Sequence, residues 1–170
     1  MKRTSPPFRA DHVGSLLRTA PLKEARAKRE RGEISAAALK AVEDAEIEKI
    51  IKRQEDIGLK AATDGEFRRA FWNYDFLGGL PGVEAYLGER KISFQGKNPK
   101  PMMLRVIGKL GTFTTHPMLE HFDFVKEHTR VVPKMTIPSP SSLHFRYGRD
   151  AVPESIYPGM DDFYRDLGQS

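Results

Sequence analysis

Three segments of the chain pass from apolar or β-branched residues into small and polar ones. They read FRADHVGS at residues 8–15, ATDGEFRR at residues 62–69 and KMTIPSPS at residues 134–141. A parallel strand that contributes to a site has this pattern, because its functional groups lie at the C-terminal end. We therefore expect each segment to deliver part of a site.

Glu66 and Ser15 have the most definite chemistry in these segments. A carboxylate at a strand end can hold an ammonium group or act as an acid or base. The alternative is a loop carboxylate that pairs with Arg68 or Arg69. Gly14 allows a ligand to approach the backbone, and the amide and hydroxyl of Ser15 can bind a carboxylate. A plain turn would use the same two residues, so the spacing leaves both alternatives open.

Histidine spacing argues against a metal site. Two histidines that share a metal on one helix lie three or four residues apart, whereas His116, His121 and His128 are separated by five and seven. His12 and His144 lie at predicted strand ends and are the better site candidates. The chain has no cysteine, which excludes disulfides, thiolate ligands and a cysteine nucleophile within it. It also lacks the G-x-S-x-G elbow of a serine hydrolase.

Composition indicates a soluble globular protein. A length of 170 residues suits one domain with a buried core, and 39% hydrophobic with 30% charged residues is ordinary for that class. No apolar run is long enough to cross a membrane, and no apolar stretch of a secretory signal follows the first basic residues. We therefore expect a cytoplasmic location and no membrane partner.

The net charge of +5 comes largely from residues 23–31. That stretch has no aromatic residue to stack on a base, and its charges are spread around a helix. These features favour a solvated helical face over a nucleic-acid or polyanion site.

Alternating strands and helices predict an α/β fold with a parallel sheet. Strands are predicted at residues 8–13, 59–64, 104–108 and 131–137. Helices are predicted at residues 22–31, 36–57 and 117–128, with another beginning near 161. Ser35 is the expected N-cap of the longest helix, and Gly58 its C-terminal stop. The region 67–101 is expected to be irregular, with a hairpin arm between 91–94 and 102–106. Since a (β/α)8 barrel takes about 250 residues, the chain can hold about the first four βα units, a partial TIM barrel.

Taken together, these segments resemble the catalytic domain of the cobalamin-independent methionine synthase family. The stretch DHVGSLLR at residues 11–18 is similar to the family's opening-strand motif, TDGE at 63–66 to its second-strand motif, and VPKMTIPSP at 132–140 to its fourth-strand segment. The likeness follows the chain in order over nearly its whole length. It implies that residues 1–170 are the N-terminal half of a catalytic barrel domain.

The resemblance implies an amino-acid site near the first two motifs. Val13, Gly14 and Ser15 would hold the amino-acid end of homocysteine, and Glu66 would pair with its ammonium group. His12 joins this group through its position beside the loop. Because both loops follow parallel strands, Ser15 and Glu66 are expected at the same end of the sheet.

The resemblance also implies contacts to a methylated folate. Lys109 and Leu110 fall where the third strand ends at the folate, and His144 falls where the family places an aromatic residue against the pterin. Histidine in place of that aromatic residue would change the contact with the pterin, so the use of folate by this chain is an open question of the resemblance. Together with the amino-acid site, these residues make up the predicted substrate-binding set, and no catalytic residue is assigned.

The implied activity is zinc-dependent transfer of a methyl group from methyltetrahydrofolate to homocysteine in methionine biosynthesis. Zinc lowers the pKa of a bound thiol and so provides a nucleophile at neutral pH. The family's zinc ligands belong to later strands, so zinc is expected for the whole domain and no metal for this chain alone. Two alternatives are an inactive half-barrel that binds a ligand or a subunit, and a relative that transfers another alkyl group to a thiol.

An incomplete barrel is expected to seek a partner. Its outer strands would be open edges, and an apolar face would lack covering helices. We therefore expect a homodimer or pairing with a missing C-terminal half.

Overall fold

A computed structural model describes residues 3–88 and 102–170 of the chain, which have a mixed α/β fold. The five helices of this part are α1 (Ala20–Glu30), α2 (Ala36–Asp56), α3 (Tyr74–Leu77), α4 (Pro117–His128) and α5 (Met160–Leu167). Its four strands are β1 (Ala61–Ala62), β2 (Val83–Leu87), β3 (Met102–Val106) and β4 (Val132–Pro133). Single 3-10 turns are formed by Pro140–Leu143 and Gly148–Ala151.

The chain divides into two compact units. Unit 1 comprises Met1–Arg69 and Leu119–Thr136, and unit 2 comprises Ala70–Met118 and Ile137–Ser170. Each unit has its own hydrophobic core. Where the description covers the chain, no helix is long and apolar enough to cross a membrane.

Side-chain caps fix the first two helices of unit 1. The hydroxyl of Thr19 accepts the Leu22 N–H at 3.4 Å at the start of α1. The hydroxyl of Ser35 accepts the Ala38 N–H at 3.1 Å at the start of α2, which confirms Ser35 as the predicted N-cap. These helices pack on a core of Leu22, Ile47, Ile51, Ala62, Phe67 and Val125.

The sheet of unit 1 is a short parallel pair. Ala61 of β1 is opposite Val132 of β4, and Ala62 is opposite Pro133. Beyond the pair, the side chain of Gln54 takes over the hydrogen bonding. Its amide nitrogen donates to the Thr63 carbonyl at 2.8 Å, and its oxygen accepts the Thr63 N–H at 3.1 Å. Gln54 therefore fixes the C-terminal end of β1, where the predicted site segment begins.

Unit 2 is built on an antiparallel hairpin. Strands β2 and β3 pair from Val83 opposite Val106 to Leu87 opposite Met102. One face joins a core that also contains Tyr157, Phe163 and other buried residues. On the hairpin, the Arg105 guanidinium donates to the Glu84 carboxylate at 2.6 Å in an exposed ion pair.

The observed strands differ from the predicted barrel order. Residues 8–13 form no strand, with bends only at residues 9 and 10. Strand β1 pairs directly with β4, although the third strand of a barrel would lie between them. The predicted third strand instead belongs to the antiparallel hairpin. Its residues alternate between buried Leu104 and Val106 and exposed Arg105, a pattern typical of a sheet with one solvated face.

The hairpin also corrects the predicted irregular region. Strand β2 and helix α3 lie within residues 67–101, and the partner of β3 is Val83–Leu87 rather than 91–94. The predicted arm at 91–94 lies outside the described residues. The signal that was passed over is the apolar alternation at Val83, Ala85 and Leu87.

We predict that Gln54 is required to hold the end of β1. Gln54→Met keeps a side chain of similar size but leaves the buried N–H and C=O of Thr63 without this partner. Each such loss costs about 1–3 kcal/mol, so urea unfolding followed by circular dichroism should show a lower free energy of unfolding. Gln169→Met, at an exposed position, is the control and should change stability by less than about 0.5 kcal/mol. Equal effects of the two substitutions would contradict this role.

Candidate functional site

Side chains shape the loop that follows β1. The Asp64 carboxylate accepts the Glu66 N–H at 2.7 Å, and the Thr63 hydroxyl accepts the Gly65 N–H at 3.1 Å. Glu66 has a φ of 58°, in the left-handed region that residues other than glycine seldom occupy. Such a conformation persists where the surroundings enforce it, and it often marks a functional position.

The loop places Glu66 against Ser15. The Leu16 N–H donates to the Gly65 carbonyl at 3.0 Å, and the Ser15 hydroxyl donates to Glu66 Oε2 at 2.7 Å. Glu66 is buried, with 9% of its surface exposed, whereas Ser15 is exposed. The structure therefore brings together the two side chains that the sequence singled out first.

Arg69 completes this group. Its guanidinium donates to Glu66 Oε2, and to the Ser15 hydroxyl at 3.2 Å. The alternative interpretation of Glu66 as the partner of an arginine is therefore realised through Arg69. Arg68 is directed elsewhere, to the carboxylates of Glu43 and Asp44.

Two further arginines clamp the backbone of the loop. Arg18 donates to the carbonyls of Glu66 at 3.2 Å and Arg69 at 2.6 Å, and Arg26 donates to the carbonyls of Phe67 and Arg69. The prediction of a solvated helical face at residues 23–31 is wrong for Arg26. Arg26 lies one helical turn after the buried Leu22, so the two residues lie on the same face of α1.

Burial raises the pKa values of two carboxyl groups near the loop. It raises the pKa of Asp64, and the hydrogen bond from the Glu66 backbone only partly offsets this effect. Burial also raises the pKa of Glu43, although that carboxylate lies 3.6 Å from Arg26 and 3.5 Å from Arg68.

The loop before Ser15 is partly exposed and is bonded to Lys134. The His12 ring nitrogen Nε2 lies 2.6 Å from the Gly14 carbonyl, so this ring bonds to its own loop. Lys134 donates to the His12 carbonyl at 2.9 Å and to Asp11. Val13 is 69% exposed, and a Cβ added at Gly14 would meet no atom within 4 Å. The backbone at Gly14 can therefore be approached by a ligand.

Lys109 and Leu110 are organised by Tyr157 within unit 2. The Leu110 N–H donates to the Tyr157 hydroxyl at 2.8 Å, and that hydroxyl donates to Asp166 at 2.7 Å. The Lys109 ammonium lies 3.8 Å from the centroid of the Tyr157 ring, a cation–π contact. Tyr157 is fully buried and was not singled out from the sequence.

His144 lies in an aromatic environment in unit 2. Its ring centroid is 5.5 Å from that of Phe163 and 5.2 Å from that of Tyr164. Its buried Nδ1 has no hydrogen-bond partner among the described residues. Nearby in sequence, a cavity of about 280 Å³ is lined by Trp72, Asn73, Ser141, Ser142, Phe145 and Arg146. Sequence reasoning did not predict this cavity; the signal was a tryptophan within an aromatic-rich loop.

The predicted site residues fall into two groups. His12, Val13, Gly14, Ser15 and Glu66 belong to unit 1. Lys109, Leu110 and His144 belong to unit 2. The substrate roles of these residues stay predictions.

The residues that the structure describes do not form a zinc site. Within residues 3–88 and 102–170, no three histidine, aspartate or glutamate side chains are grouped so that they could hold a metal ion. The sequence as a whole has no cysteine. No chemical step is therefore assigned to a metal held by this chain.

Fold and site define an α/β protein with a buried carboxylate beside a serine and an approachable glycine. Comparison with known proteins identifies its family. A family model described as the catalytic domain of cobalamin-independent synthase matches residues 8–104. The chain belongs to the cobalamin-independent methionine synthase family, as its motifs indicated.

Individual relatives support this assignment. The uncharacterised protein YxjH of Bacillus subtilis is 45% identical over 170 residues, which cover 99% of this chain and 44% of that protein. A 5-methyltetrahydropteroyltriglutamate–homocysteine methyltransferase of Synechococcus is 45% identical over 64 residues, covering 38% of this chain and 8% of that enzyme.

A solved structure shows a similar fold. It is a Listeria monocytogenes protein provisionally assigned as a vitamin-B12-independent methionine synthase. The two share 40% identity and a TM-score of 0.76 over 97% of this chain and 46% of the other. Nearly the whole of this chain matches YxjH and the Listeria protein. It spans less than half the length of either of those proteins.

We predict that the charge on Asp64 weakens the fold at neutral pH. Asp64→Asn keeps an oxygen that can accept the Glu66 N–H but removes the buried charge. A raised pKa in the folded state means that the wild type loses stability as the pH rises through that pKa. The variant should therefore be more stable than the wild type at pH 7.

Urea unfolding at several pH values tests this prediction. The stability gap between Asp64→Asn and the wild type should narrow as the pH falls, because the wild-type carboxyl then becomes neutral as well. Asp161→Asn, at an exposed position, is the control for the substitution itself. A gap at Asp64 that does not change with pH would contradict the expected cause.

Proposed function

We propose that this chain binds the amino-acid substrate of a methionine-synthase-type methyltransferase through unit 1. The observation that carries the proposal is the hydrogen bond of 2.7 Å between the Ser15 hydroxyl and the buried Glu66 carboxylate. It lies beside a backbone at Gly14 that a ligand can approach. Family membership supports this assignment, since these residues stand at the matching motifs.

The polar groups suit the two charged ends of an amino acid. The Ser15 amide and hydroxyl can donate to an α-carboxylate. Glu66 supplies the negative charge that an α-ammonium group requires when it leaves water. Val13 and Gly14 lie beside this pair, and the ring of His12 contacts the Gly14 carbonyl.

Homocysteine is the substrate that the family suggests, with a methylated folate as methyl donor. For the second substrate we propose contacts from Lys109, Leu110 and His144 in unit 2. The contacts of these three residues within unit 2 support this proposal. Tyr157 orients the first two, and His144 lies among aromatic rings that suit a flat heterocycle.

We further propose that residues 1–170 correspond to the N-terminal half of the catalytic domain, about the first four βα units of a (β/α)8 barrel. The resemblance to the Listeria structure supports this relation, and β1 and β4 run parallel as barrel strands do, although they pair without the predicted third strand between them. The antiparallel hairpin of β2 and β3 is then an addition to the barrel pattern. A sheet pair this short favours a homodimer or pairing with a C-terminal half.

Zinc belongs to the proposal only for the whole domain. When bound, it would lower the pKa of the homocysteine thiol. The residues of this chain have the separate task of holding the amino-acid end of the substrate in place. A binding module without methyl transfer is the alternative.

We predict that Glu66 is needed for ligand binding. Calorimetric titration with L-homocysteine or L-methionine should show weak binding to the wild type, and Glu66→Gln should weaken it by about 1–3 kcal/mol, the typical cost of losing a partly buried charged partner. The control is Glu55→Gln. Glu55 accepts hydrogen bonds from Thr129 and Arg130, which precede β4 at the opposite end of the sheet. Equal affinity in the wild type and Glu66→Gln would refute the proposed role.

We also predict that the isolated chain binds no stoichiometric zinc. It lacks thiolates, and its helix histidines have the wrong spacing for a shared metal. Elemental analysis after dialysis against a mild chelator measures this directly. One zinc ion per chain would contradict this prediction.

A further inference from the structure

Arg69 contacts both groups that are proposed to receive the amino acid. Its guanidinium donates to Glu66 Oε2, and to the Ser15 hydroxyl at 3.2 Å, while Ser15 also donates to Glu66. The three side chains thus form one polar cluster. The side chains of Arg69 and Glu66 are 16% and 10% exposed, so their charges have little access to water.

We propose that Arg69 determines the specificity of this site for zwitterionic ligands. The inference rests on the proposed function. When an α-ammonium group takes the place of the guanidinium on Glu66, Arg69 turns to the α-carboxylate held at Ser15. The ion pair between protein side chains is thereby exchanged for two ion pairs with the ligand, and no charge is left without a partner.

The charge balance of the cluster supports this exchange. Glu66 and Arg69 together carry no net charge, which matches a zwitterion. A ligand with an ammonium group alone would displace Arg69 from Glu66 and offer the guanidinium no carboxylate in exchange, so an ion pair of a poorly solvated charge would be lost. The guanidinium also offers a planar pair of N–H donors that suits a carboxylate.

The backbone permits the side chain to move alone. The carbonyl of Arg69 is held by Arg18 at 2.6 Å and Arg26 at 3.1 Å. The neighbouring Arg68 is committed to Glu43 and Asp44. Arg69 is therefore the guanidinium next to Glu66 that can exchange partners while the loop stays in place.

The test compares two ligands that differ by one charge. L-methionine has both charges, whereas 3-(methylthio)propylamine has the same side chain and ammonium group but no carboxylate. Calorimetry should show that the wild type prefers methionine by about 10-fold or more, the size expected for a charge-assisted hydrogen bond. Arg69→Gln should bind methionine about 10-fold more weakly and the amine at least as well as the wild type does, so the preference disappears.

Two further variants complete the test. Arg69→Lys keeps the positive charge and should keep the preference for methionine, with circular dichroism confirming that each variant is folded. Arg31→Gln removes an arginine from an exposed ion pair with Glu33 and should change neither affinity. Unchanged methionine binding in Arg69→Gln, or an equal loss for both ligands, would overturn the role of Arg69 and leave the proposed function standing. No methionine binding by the wild type would overturn both.

Discussion

The burial of the Glu66 carboxylate is the constraint on which the rest of unit 1 depends. A buried carboxylate must have partners, and Ser15 and Arg69 supply them. Its backbone adopts a left-handed conformation that Asp64 stabilises by accepting the Glu66 N–H. Gln54, from the end of α2, fixes the strand end from which this loop begins. The site is therefore organised by side chains, with a parallel ladder of only two residues beneath it.

Several arginines lie around the loop that follows β1. Arg18 and Arg26 bind backbone carbonyls, and Arg68 pairs with acids of α2. These guanidiniums offset the acids that burial gathers here, including Glu43 and Asp64, whose pKa values burial raises. Basic residues that in sequence look like a solvated surface thus contribute to the shape of a candidate binding site.

In unit 2, a buried aromatic side chain organises the predicted site residues. Tyr157 is buried and joins α5 to the segment that follows β3, through hydrogen bonds to Leu110 and Asp166. Its ring also lies under the Lys109 ammonium. The positions of Lys109 and Leu110, for which the resemblance implies contact with the folate, therefore depend on a tyrosine almost fifty positions later. The same aromatic cluster extends through Phe163 to His144.

The sequence by itself indicated the family, four of the five helices in the described residues, the Ser35 cap, and the meeting of Ser15 with Glu66, because these depend on local spacing and on short motifs. It could not determine which strands pair. The segment at 104–108 suits a parallel or an antiparallel neighbour, and only packing on the core of unit 2 selects Val83–Leu87. Nor could it show that Arg69 rather than Arg68 pairs with Glu66. Neighbouring residues with the same charge differ only in direction, and the direction of a side chain is decided by the tertiary structure.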